Sequence, residues 1–239
     1  GNCYYSQCGI PESELNSNLD EKAFYYYSLA AQQNYSVAQY NLGLCYENGC
    51  GVDINPVESL KYYELSALQG NASAQYHLAS IYESGEFCGV TILNDGTLVK
   101  NLEKSHQYYL KAANNGLALA QHTIGLWYEF GQQEINLEKN IVEAVSWYTR
   151  ASNQGYSISQ YILGQCYEYG KGVNKDYFMA VTLYNRAAEN NHIGGQFQSG
   201  YCCQYGQGTT KDLQRAIYYY KMIEQTNSLY YQLNEEFPS

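Results

Sequence analysis

The feature that most constrains this chain is a repeat. The stretch AQYNLGLCYENGCGV (38–52) returns as AQYHLASIYESGEFCGV (74–90), AQHTIGLWYEFG (120–131), SQYILGQCYEYGKGV (159–173) and GQFQSGYCCQYGQGT (195–209). Its glutamine falls at 39, 75, 121, 160 and 196, in steps of 36, 46, 39 and 36. A second motif, such as SLKYYELSALQG (59–70) or AVTLYNRAAENN (180–191), keeps the same register. Its small first residue falls at 23, 59, 105, 144, 180 and 216. Self-similarity at this period is the mark of an array in which each unit buries its apolar face only against its neighbours.

Each motif has helical spacing. Leu42, Gly43 and Tyr46 recur on one face of the first; Ser59, Tyr63 and Ser66 make an i, i+4, i+7 stripe on the second. A Gly-x-Gly turn followed by Asn, Asp or Pro stops one helix and starts the next. The spacing predicts an all-α chain, an α-solenoid of antiparallel helix pairs with about 36 residues per repeat. The expected units are a partial repeat over 1–35, five repeats over 36–73, 74–119, 120–158, 159–194 and 195–227, and a capping or truncated helix over 228–239, all in one solenoid domain. CYYSQCGI (3–10) matches CYENGCGV (45–52), so the chain opens inside a first helix and reads as part of a longer array. Insertions are expected within Glu86–Asn101 and near Gln132–Leu137.

Two columns carry the expected packing. Gly43, Ala79, Gly125, Gly164 and Gly200 are expected to face Ala30, Ser66, Ala112, Ala151 and Ala187 across the pair, small against small. Tyr27, Tyr63, Tyr109, Tyr148, Tyr184 and Tyr220 are expected to fill the space between repeats.

The pattern A-x-x-L-G-x-x-Y-x-x-G-x-G-V, then a small residue, Y-Y and A-A-x-x-G, resembles the Sel1-like repeat over nearly all of residues 2–236. The resemblance implies a right-handed solenoid related to tetratricopeptide arrays. It also implies a protein that holds other proteins together, as do an ER-degradation adaptor, activators of fungal chitin synthase and secreted bacterial members. A cysteine-rich bacterial subfamily bridges each helix pair with a disulfide. Here the matching positions are alanines, Ala31 with Ala38, Ala67 with Ala74 and Ala113 with Ala120.

No catalytic constellation appears: H-E-x-x-H, G-x-S-x-G and S-x-x-K are absent, and the chain reads as a non-enzyme without cofactor or metal. Gly164 to Gly172 misses a P-loop by one residue of spacing and lacks the Ser or Thr that reaches Mg²⁺. The eight cysteines contain no C-x-x-C, and Cys45, Cys166 and Cys202 share one helical position, where they read as small hydrophobes. A Cys50–Cys88 bridge would need the longer loop to lean back. A formal charge of −10 leaves no basic footprint for nucleic acid. No apolar run is long enough for a transmembrane helix. The compartment is unassigned, with cytoplasm favoured and secretion or the ER lumen left open; the oligomeric state is unassigned too.

By analogy with tetratricopeptide arrays, the first helix of each unit lines the concave side. The inward columns are then Tyr40, Tyr76, His122, Tyr161 and Phe197; Leu126 and Tyr201; Glu47, Glu83, Glu129 and Glu168; and Phe130, Tyr169 and Tyr205. An aromatic stripe beside carboxylates suits a neutral or basic peptide segment of a partner protein. Two alternatives stay open: a glycan-binding groove, and a structural subunit of a larger complex. The competing reading of the columns is plain inter-repeat packing with a solvated glutamate row.

Overall fold

The computed structural model describes residues 12–87 and 100–236, with side chains described over 19–87 and 100–225. Cys3, Cys8, Cys88 and most of the expected Glu86–Asn101 insertion lie outside the described residues.

Eleven α-helices occur among the described residues: α1 (Glu12–Gln32), α2 (Ser36–Asn48), α3 (Pro56–Leu68), α4 (Ala72–Ser84), α5 (Leu102–Asn114), α6 (Ala118–Phe130), α7 (Ile141–Asn153), α8 (Ser157–Tyr169), α9 (Tyr177–Glu189), α10 (Ile193–Tyr205) and α11 (Leu213–Glu236). The even-numbered helices are first helices and the odd-numbered ones second helices. α11 runs without a break through residue 228, where the sequence reading begins a further helix. The chain divides into two compact units between Ala120 and Gln121, inside α6.

The two helices of a pair are antiparallel. In the first unit Ser59 Oγ donates to the Gly43 carbonyl (2.7 Å) and Ser66 Oγ to the Ser36 carbonyl (2.6 Å). Partner numbers thus fall along α2 as they rise along α3.

The Gly-x-Gly turn uses each glycine differently. Gly49, Gly170 and Gly206 end first helices in the left-handed conformation, and each N–H returns to the carbonyl four residues back. The second glycine sits against the preceding second helix: a Cβ on Gly51 would lie 2.3 Å from the Asp20 carbonyl oxygen, and one on Gly208 2.3 Å from that of Tyr177. Their positive φ (71° and 68°) and the absent side chain are both required. Second helices restart on Asn55, Asn101, Asn140 and Asp176, whose side chains accept from the backbone N–H three residues on.

The core is built on tyrosine over glycine. Tyr63, Tyr148 and Tyr184 are completely buried. A Cβ on Gly43, Gly125 or Gly164 would come within 2.6, 2.4 and 2.6 Å of Cε1 of Tyr63, Tyr148 and Tyr184. The expected small-against-small contact is therefore corrected: the glycines seat tyrosine rings. The small residues meet first-helix starts instead, as in Ser66 on the Ser36 carbonyl, and in Ala187, whose Cβ would lie 2.7 Å from one on Gly195. Tyr63 also stacks on His77 of α4 (4.6 Å, 24°), so the ring joins its own pair to the next helix.

The recurrent glutamine, read in the sequence only as a register mark, is buried at all five positions. In the first unit Gln75 Nε2 donates to the Ala67 carbonyl (3.0 Å) while its Oε1 accepts from Asn115 Nδ2 (2.9 Å). In the second, Gln160 Nε2 donates to the Ser152 carbonyl (3.2 Å) and its Oε1 accepts from Asn190 Nδ2 (3.0 Å). One carboxamide thus adds a second donor to a carbonyl at the end of the previous second helix, beside the Gly70 or Gly155 N–H, and holds the cap residue of its own. Gln160→Leu removes both bonds and leaves Asn190 Nδ2 without that acceptor, while the Ser152 carbonyl keeps the Gly155 N–H (3.0 Å); urea denaturation should show a loss of about 1–3 kcal/mol. Tyr184→Ala empties a closed site and should cost about 3–5 kcal/mol in the same assay.

Candidate functional site

The first-helix columns divide into two groups. The glutamates form one. Tyr109 Oη donates to Glu83 Oε2 (2.7 Å), Tyr148 Oη to Glu129 Oε2 (2.7 Å) and Tyr184 Oη to Glu168 Oε2 (2.5 Å). Tyr63 donates to Glu47, which His77 also meets at 3.1 Å. Gln204 takes the same place in the last repeat, accepting from Tyr220 Oη at 2.9 Å. The glutamates are half-buried partners of the core tyrosines rather than a solvated row.

Electrostatics follow from this pairing. Burial, and then the adjoining carboxylate, push Tyr63, Tyr109, Tyr148 and Tyr184 far above the ordinary phenol range, so the tyrosines remain donors. Burial alone would raise the Glu47 carboxyl, but hydrogen bonds from His77 and Tyr63 outweigh it and hold the group below the usual carboxylate range. Burial drives the Cys45 and Cys166 thiols up to about 11 and Cys202 up to about 12. All three are free, protonated and packed in the core, as small hydrophobes are.

The other group is aromatic. Tyr40, Tyr76 and Tyr161 are half-buried, with ring centroids 5.6, 5.1 and 5.8 Å from those of Tyr63, Tyr109 and Tyr184. His122, expected on the open face, is buried, with Nδ1 3.0 Å from Ser159 Oγ. Leu126 packs against the second unit's core. The open rings lie at the helix ends: Phe130, Tyr169 and Tyr205 are 72%, 57% and 61% exposed and occupy the last turns of α6, α8 and α10. Phe197 and Tyr201 are also exposed on α10, and Tyr201 lies 4.6 Å from Tyr205 between centroids. Asn48 and Ser84 hold the equivalent places in the first unit. The second unit thus joins exposed rings to fixed carboxylates on the same helices. The tyrosine–glutamate pairing went unread in the sequence, although Glu47 and Tyr63, Glu168 and Tyr184, and Gln204 and Tyr220 are each 16 residues apart. No helix among the described residues is long and apolar enough to cross a membrane.

Three histidines make the fold acid-sensitive. Burial lowers His106, His122 and His192 below the ordinary imidazole value, with Glu129 partly offsetting the effect at His122. His192 Nδ1 also accepts the Gly195 N–H (3.1 Å) as the N-cap of α10, a bond that needs that nitrogen unprotonated. A depressed folded pKa means that the unfolded chain takes up protons first. The stabilisation is therefore present above about pH 6.5 and is lost as pH falls below it. Thermal melts between pH 7 and 5 should show a falling Tm. His192→Asn, which caps without titrating, should lessen the fall.

The chain matches the Sel1 repeat model at residues 3–35, 36–71, 72–117, 118–156, 157–192 and 194–223. No curated protein matches it. Among solved structures it is similar to a Sel1 repeat protein from Oxalobacter formigenes, with 30% identity and a TM-score of 0.71 over 89% of this chain and 84% of that one. It is also similar to c5321, a protective antigen of uropathogenic Escherichia coli with the same repeat fold, at 28% identity and a TM-score of 0.72. That match covers 86% of this chain but spans only 41% of the antigen. With helix pairs, turns and register matching along the array, the chain belongs to the Sel1 repeat family.

Proposed function

We propose that this chain is a non-catalytic protein-interaction adaptor that holds a neutral or basic peptide segment of a partner against its first helices. The observation that carries the reading is the coincidence, on α6 and α8, of exposed Phe130 and Tyr169 with half-buried Glu129 and Glu168. Aromatic side chains supply large contact area at low entropic cost, and they dominate binding energy where they are desolvated. A carboxylate held in place by a buried tyrosine hydroxyl is pre-positioned, so ordering it on binding costs little.

The formal charge of −10 adds long-range attraction for a basic partner and repels acidic ones. A neutral glycan would stack on the rings but leave the carboxylates without a cation, so the peptide reading uses more of the surface. Family membership supports the adaptor role, because Sel1-like repeat proteins mostly hold other proteins together.

Binding to peptide and glycan arrays tests the proposal. Basic peptides should be retained, and the Glu129→Lys, Glu168→Lys double variant should lose them. Retention unchanged by this charge reversal would remove the carboxylates from the binding surface. Retention of glycans alone would replace the peptide reading.

A further inference from the structure

Two thiols meet at the end of α2. The chain leaves that helix through left-handed Gly49, and the Cys50 N–H returns to the Cys45 carbonyl at 3.0 Å. At helix ends of this kind the side chains of those two positions often pack on each other. Here both are free cysteines: Cys45 is buried in the first unit's core, and half-buried Cys50 packs against the same cluster. Both also border one cavity of about 170 Å³, with Tyr27, Asn41, Leu44 and Asn48. The same turn recurs where α8 and α10 end, with the Lys171 N–H on the Cys166 carbonyl (2.9 Å) and the Gln207 N–H on that of Cys202 (3.1 Å). Those turns have cysteine at the first position only. Among the described residues, α2 alone has it at both.

The backbone sets the reach. With standard bond lengths, an N···O separation of 3.0 Å between Cys50 and Cys45 holds their Cα atoms within about 6.9 Å. The bend at the amide nitrogen brings them closer still. A disulfide spans Cα separations of about 4.4–6.8 Å and fails beyond about 7 Å. The pair is thus within reach of a bridge with α2 and its turn in place, and the shared cavity leaves room for the sulfurs to rotate. Burial pushes the Cys45 thiol up to about 11, so Cys45 stays protonated and does not begin a reaction. Cys50 is the more accessible of the two.

We propose that Cys45 and Cys50 are a disulfide site, which closes across the end of α2 when the protein meets a small-molecule disulfide of the oxidised-glutathione class. Cys50 loses its proton and attacks one sulfur of the small disulfide. A mixed disulfide forms, and the first small thiolate leaves and takes up that proton. Cys45 then gives up its proton and attacks Cys50 Sγ. The protein S–S bond forms, the mixed bond breaks, and the second small thiolate leaves and is protonated in turn. Two protein thiols are oxidised and one small disulfide is reduced to two thiols. The bridge locks the last turn of α2, which also presents Glu47 to Tyr63 and His77.

Peptide mapping of the full chain after incubation with oxidised glutathione tests this. The reaction is quenched in acid, and the chain is denatured, alkylated and cut after Glu47, between the two cysteines. The peptides that hold Cys45 and Cys50 should stay joined until a reductant is added. Cys166, Cys202 and Cys203 should be recovered alkylated, since the first two stand opposite Lys171 and Gln207 and all three are buried. The helical circular dichroism signal should be unchanged by the oxidation. Cys50→Gln should lose the joined peptide and keep the parent's spectrum, because Gln207 already holds the equivalent place. Glutathione left on Cys50 without closure to Cys45 overturns the proposal. So does Cys50 joined to Cys8, to Cys88 or to a second chain. Joining that appears only once the helical signal is lost, or equal oxidation of Cys166 and Cys202, overturns it too, because the pairing then belongs to the unfolded chain.

Discussion

The structure depends on one contact, a tyrosine ring laid over a glycine with its hydroxyl on a carboxylate. The missing side chain at Gly43, Gly125 and Gly164 makes room for the rings of Tyr63, Tyr148 and Tyr184. Once the ring is buried, its hydroxyl needs a partner, since a desolvated polar group left unpaired is costly. A glutamate on the same first helix supplies it, one turn beyond the glycine. The geometry tolerates a substitution at each end. Ala79 replaces the glycine with Tyr109 still buried, and Gln204 replaces the glutamate with Tyr220 still bonded. What persists throughout is a ring in a shallow seat and an oxygen at its tip.

A second contact carries the order from repeat to repeat. The buried glutamine donates to the end of the preceding second helix and accepts from the cap of its own. A leucine there would fill the volume but lose both bonds. Side chains of this kind let a chain with only 45% hydrophobic residues and 29 tyrosines build a core two helices deep. Each unit is stabilised by its neighbours, so tyrosine, with an apolar body and a polar tip, suits a layer that is never far from water.

The same contact shapes the surface. By engaging one oxygen of each glutamate, the core tyrosine fixes a charge at the protein boundary without neutralising it. In the first unit His77 meets the Glu47 carboxylate, and Asn48 and Ser84 stand where the second unit has Phe130 and Tyr169. The asymmetry between the units therefore comes from a few substitutions at fixed register, with the helices beneath unchanged in length. Each of the first helices α2, α4, α6, α8 and α10 is 13 residues long.

By itself the sequence determined the repeat, the family and the helices with their stops as far as α10, because these follow from local rules; the break expected near residue 228 is absent from α11. A glycine past a helix end adopts a left-handed turn, and an apolar period near 3.6 makes one helical face, whatever lies across from it. Only the tertiary structure decided which members of a column are covered. His122 and Phe197 share one register position, yet His122 is buried and Phe197 is 52% exposed. Glu47 and Glu168 share another, yet only Glu47 also meets a histidine. Periodicity tells which way a side chain points from its own helix. Whether water, a ring or a hydroxyl meets it there is settled by residues of other helices that sequence spacing alone does not bring together.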